Sequence, residues 1–120
     1  MRFLKFLLPL VASFGLAMPA GASPRNPIAL LPQPVRHVFA CIMWRESRST
    51  FQHLNLRDNN RYGSSGIFQI VQGTWAAHQL AAGVPLKVHV WQATAYQQEL
   101  VAIDIWRADG FGPWSASDGC

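Results

Sequence analysis

Only two cysteines occur among the 120 residues, Cys41 and Cys120. Such scarcity argues against a small secreted inhibitor, a class that packs more bridges into a chain this short. It also leaves a metal site little to work with. His37 and Cys41 stand four apart on a helix face, but no second Cys/His pair follows at ligand spacing. Charge is sparse as well, with 10 Lys and Arg against 6 Asp and Glu, and no basic stripe appears. A nucleic-acid footprint is therefore excluded. There is no internal repeat and no low-complexity segment. The apolar run over residues 6–18 is short for a membrane span and is broken by Pro9.

That run reads instead as the core of an export signal. Arg2 and Lys5 precede it, and Ala20-Gly21-Ala22 offers a small-x-small cleavage site, so residues 1–22 are expected to be removed before Ser23. No cysteine stands near the site to carry a lipid, and no stable membrane anchor is expected after cleavage. The remaining 98 residues carry eight basic and six acidic side chains, a weak net charge that suits an anionic cell wall only slightly. One small domain of this size often needs a staple. An exported chain meets an oxidising compartment, and its two cysteines point to a Cys41–Cys120 disulfide. Closing a loop of that length removes roughly 4.5 kcal/mol of unfolded-state entropy.

Glu46 is the residue out of place. Val35, Val38, Phe39, Ile42 and Met43 form an apolar stripe at helical spacing, and position 46 is its next step. Apolar surroundings and the negative end of a helix both disfavour an ionised carboxyl, which would leave Glu46 able to donate a proton near neutral pH. The plainer alternative is a solvated glutamate at a helix end.

Residues 23–33 hold Pro24, Pro27 and Pro32 and read as a tether. Pro34 suits the first turn of a helix reaching about residue 47. Residues 49–65 are polar, contain Asp58-Asn59-Asn60-Arg61-Tyr62-Gly63, and read as a loop or short irregular hairpin. Gly66-Ile67-Phe68-Gln69-Ile70 places one amide in an apolar run. A helix is expected over about residues 72–82, with Gly83 beyond its end. A last long helix starts near Thr94, where Thr94 and Gln97 have capping-box spacing, and Gly110 ends it. Phe111-Gly112-Pro113-Trp114 then folds back toward Cys120. The expected class is α+β, mainly α. A sugar cleft needs aromatic platforms and a few fixed amides, which Gln69, Trp75 and Trp114 could supply. Against this, Trp75 and Trp114 could be core, and Gln69 could satisfy a buried backbone group.

Five short blocks carry a family resemblance: Trp44-Arg45-Glu46-Ser47, Gly66-Ile67-Phe68-Gln69-Ile70, Gln72-Gly73-Thr74-Trp75, Gln97-Gln98-Glu99, and Gly110-Phe111-Gly112-Pro113-Trp114 with the terminal cysteine. In order and spacing they resemble the resuscitation-promoting-factor or transglycosylase-like domain, a group of secreted actinobacterial proteins. The resemblance spans residues 34–120 and implies a small lysozyme-like domain with the hairpin or loop beside its cleft. It implies cleavage of the β-1,4 MurNAc–GlcNAc bond of peptidoglycan, with Glu46 as the acid. Gln69, Thr74, Trp75 and Asp109 would contact the glycan, and the family disulfide supports Cys41–Cys120. No cofactor or metal is implied. The chain departs from the family at Ser47-Arg48, where Ser-Gly-Gly is common, at Phe111, which replaces the usual Trp, and at Cys41, five residues ahead of Glu46 instead of adjacent. Arg48 would then narrow or charge the cleft.

Two-carboxylate hydrolysis would require a second acid. Asp58 is available, although Asp in such a loop often serves the turn alone. Glu99 has a capping or dipole role as its default. A one-carboxylate route fits better, with the substrate's own N-acetyl group assisting and either a 1,6-anhydro sugar or a reducing end as product. The rival reading is a non-catalytic wall-binding or partner-binding module.

Overall fold

The computed structural model describes residues 26–49 and 64–120, apart from the side chains of residues 116 and 117. The expected leader and Asp58 lie outside the described residues. The fold is α+β and mainly helical: α1 (Gln33–Ser47), β1 (Ser64–Ser65), β2 (Ile70–Val71), α2 (Gln72–Gln79), α3 (Ala95–Asp109) and α4 (Gly112–Asp118), with 3-10 turns at Pro27–Leu30 and Val90–Gln92. No helix among the described residues is long and apolar enough to cross a membrane.

The stripe on α1 behaves as its spacing predicts. Phe39 and Ile42 are fully buried, and Val35, Val38 and Met43 pack against the same core. Phe39 is the hub of an aromatic cluster. Its ring meets Phe68, Trp106, Phe111 and Trp114 edge-on, at centroid distances of 5.1 to 6.2 Å. Edge-to-face geometry aligns the positive ring edge with the negative face. One side chain thus joins α1, the hairpin, α3 and the C-terminal segment. The Cys41–Cys120 disulfide forms, with Cα atoms 6.0 Å apart, and fastens α4 to α1. That bond removes Cys41 from any thiolate metal site. A disulfide is consistent with an extracellular location.

The Pro-rich tether is corrected in its second half. Pro27–Leu30 is a 3-10 turn, and Ile28 is a buried core residue. The Ile28 N–H donates to Glu99 Oε1 at 3.2 Å. Glu99 is therefore a buried acceptor that docks the N-terminal segment, in place of the expected capping or helix-dipole role. Burial raises its pKa above the ordinary glutamate value, against a smaller lowering by the Ile28 N–H. The folded unit thus reaches back to Asn26 at least. Its start is hidden in the sequence because prolines mark both tethers and first turns.

The capping box at Thr94 is present. Gln97 N–H donates to Thr94 Oγ1 at 3.2 Å, and Thr94 N–H donates to Gln97 Oε1 at 3.0 Å. The hairpin falls at the end of the polar stretch. Ser64 pairs with Val71 and Ser65 with Ile70, antiparallel, and residues 66–69 make the turn. The turn helps to join the helices into one unit. Gly66 has φ +79° there, a backbone that glycine adopts freely.

Candidate functional site

A cleft of about 310 Å³ is lined by residues from the four helices and the hairpin, including Glu46, Ser64, Gln69, Val71, Thr74 and Trp114. Glu46 is half-buried on the last turn of α1. Among the described residues it is the one carboxylate lining this cleft. Its position follows from the stripe: Ile42, one turn earlier, is in the core, and the next step emerges at the cleft wall.

The hairpin contributes Ser64, Gln69, Ile70 and Val71 to the lining, and side chains pin its turn from several directions. Ser47, next to Glu46, is buried and donates from Oγ to Ile67 O at 2.8 Å. Trp114 Nε1 donates to Phe68 O at 3.0 Å. Gln98 is fully buried on α3; its Oε1 accepts from Ile67 N–H at 2.8 Å, and its Nε2 donates to Ala93 O at 3.0 Å. Buried backbone groups that are not paired with other backbone need such side-chain partners. These bonds fix the hairpin relative to the α1 end that carries Glu46.

Gln69 lines the cleft, and its amide is already engaged. Nε2 donates to Gly66 O at 2.9 Å, and Oε1 accepts from Ser64 Oγ at 3.1 Å. The alternative that Gln69 satisfies a backbone group is therefore correct, and the amide also stays at the cleft surface. Its backbone is left-handed, at φ +48°. Non-glycine residues in that region cluster at functional sites, where the surrounding structure holds them. Thr74, in the first turn of α2, also lines the cleft.

Trp75 does not. It is 0% exposed, and its Nε1 donates to Val88 O at 2.8 Å. The side chain one turn later, Gln79, is buried on the same face and donates to Pro85 O at 2.7 Å. Adjacent residues on a helix point about 100° apart, so Thr74 faces the cleft while Trp75 faces the core. Asp109 is also displaced. Its side chain is 58% exposed and lies 3.8 Å from His78 Nε2. Because α2 lies along α3, His78 meets Asp104 at 2.8 Å and comes within reach of Asp109.

Arg48 is not among the residues that line the cleft, so it does not narrow or charge it as expected. Its guanidinium stands 4.9 Å over the ring of Trp44. Arg48 and Ser49 both have positive φ, +53° and +62°. Ser49 N–H donates to Met43 O and Arg48 N–H to Trp44 O, so the two left-handed residues turn their amides back onto the last carbonyls of the helix. Both positions take a backbone that glycine adopts more freely than arginine or serine.

Ser64, Val71 and Pro113 also line the cleft, and sequence reasoning misses them. Nothing periodic marks them. Ser47 carries the better signal, a hydroxyl beside the odd glutamate on a helix end. No family model matches this chain, and no curated protein or solved structure matches it.

Proposed function

We propose that the protein is a secreted, wall-associated glycosidase that cleaves the β-1,4 MurNAc–GlcNAc bond of peptidoglycan, with Glu46 as its single acid and base. The observation that carries the reading is convergence. Glu46, Gln69, Thr74 and Trp114 come from four separate segments and line one cleft. Each of the four lies in one of the sequence blocks that carry the family resemblance. Glu46 faces no second carboxylate among the cleft-lining residues described. A lysozyme-like architecture belongs to the same proposal.

In this mechanism Glu46 protonates the glycosidic oxygen as the bond to C1 breaks. The acetamido group of the substrate stabilises the developing positive charge at C1. Glu46, now a carboxylate, takes a proton from the C6 hydroxyl or from a water that attacks C1. Gln69, held by Gly66 and Ser64, presents a fixed amide to the glycan. Such preorganisation is favourable because a positioned dipole need not reorient during the reaction. Incubating the purified protein with isolated cell walls and weighing the released muropeptides tests the reading. Anhydro or reducing disaccharide products are expected. Walls that bind the protein and release nothing would favour a binding module.

A further inference from the structure

Trp91 is not part of the cleft lining, yet it is 41% exposed. Large aromatic rings are usually well covered. The ring is also not loose. It is stacked on the imidazole of His89, with centroids 4.6 Å apart and planes 10° apart. One face of the indole is thus covered, and its exposure belongs to the other face and the edge.

Three hydrogen bonds tie the turn that carries this ring to the segments that line the cleft. Val90 N–H donates to Gln72 Oε1 at 3.2 Å. Gln72 directly follows Val71, which lines the cleft and is itself 41% exposed. On the other side of Trp91, Ala93 O accepts from Gln98 Nε2, whose carbonyl oxygen holds Ile67 N–H in the hairpin turn. The turn Val90–Gln92 is therefore tied at one end to the start of α2 and at the other to the hairpin. Gln72 adjoins Val71, and Ile67 lies in the same turn as Gln69; Val71 and Gln69 both line the cleft.

We propose that Trp91 is a sugar-stacking platform that extends the cleft beyond Val71. It would receive the apolar face of one pyranose ring in a long β-1,4-linked amino-sugar strand. This inference rests on the glycan reading of the cleft. A pyranose ring presents axial C–H groups on one face, and a flat aromatic surface matches them. A ring already held by His89 loses little freedom when the sugar arrives. Only a strand long enough to cross the cleft reaches Trp91, so the platform makes affinity depend on strand length.

The test compares binding of the β-1,4-linked GlcNAc trimer and hexamer by calorimetry, using the Glu46→Gln protein so that nothing is cleaved. The hexamer is expected to bind more tightly than the trimer. Adding Trp91→Ala should weaken the hexamer about tenfold and leave the trimer unchanged, the scale expected for uncovering one ring face. Trp91→Phe should keep most of the preference. Trp91→Leu retains apolar bulk without a flat ring; it should show the same loss as alanine, and it decides the matter if the alanine variant does not fold. A folded Trp91→Ala or Trp91→Leu protein that keeps the full hexamer preference overturns the platform while leaving the cleft reading intact. Failure of the Trp91-containing protein to bind either oligomer overturns the cleft reading and the platform together.

Discussion

Two Gly→Ala substitutions seven residues apart should have opposite signs. A Cβ on Gly66 would fall on the Gln98 side-chain carbonyl, and the residue has φ +79°. A left-handed alanine costs about 1–2 kcal/mol. Displacing the Gln98 amide would leave Ile67 N–H without its 2.8 Å acceptor inside the core, a further ~1–3 kcal/mol. Gly66→Ala should therefore lose about 2–5 kcal/mol. Gly73 lies in the first turn of α2, with nothing within 4 Å of its Cβ position. Alanine there should stabilise by about 0.5 kcal/mol, because glycine gives up more chain entropy in a helix. Urea unfolding of the two variants beside the parent, with the disulfide intact, measures both. A Gly66→Ala protein within about 1 kcal/mol of the parent would show that the turn yields easily and that the Gln98 clamp does not matter.

Glu99→Gln keeps an oxygen for the Ile28 N–H and removes the titration. Because the folded-state pKa is raised by burial, the protonated form favours folding. The parent's stability should thus be greatest below the ordinary glutamate pKa and fall as the pH rises through the raised one. Over that window the variant should gain on the parent, then hold a constant advantage; parallel pH profiles from urea unfolding would contradict the assignment. Arg48→Gly relieves a left-handed arginine, worth about 1–2 kcal/mol, and loses an exposed cation–π contact of ~0.5–1 kcal/mol. The net expectation is a melting temperature equal to or above the parent's, and a clear drop would mean that Arg48 holds more than a helix end.

The long helices are legible in the sequence because their cues are local. The α1 stripe, the Thr94–Gln97 box and Gly110 fix α1 and α3 to within a residue or so. The docking of Ile28 on Glu99 is not legible, since it joins residues 71 apart in sequence. Helix α4 has a readable signature, Pro113 in its first turn and left-handed Gly119 after its end, but its seven residues are too few to show a periodic face. At the site, the family resemblance points to Glu46, Gln69 and Thr74, which meet in one cleft. It points equally to Trp75 and Asp109, which do not join them. A motif records that residues occur together; which face of a helix each one takes depends on what packs against it.

The most direct test of the account is cleavage by the Glu46→Gln protein. The change keeps the shape and the hydrogen-bonding capacity of the side chain and removes its transferable proton. The variant should fold as the parent does, bind isolated peptidoglycan as tightly, and release muropeptides at least ~10²-fold more slowly, the lower range of what a general acid and base supplies. Release at close to the parent's rate by a folded Glu46→Gln protein would contradict the claim that Glu46 performs the chemistry.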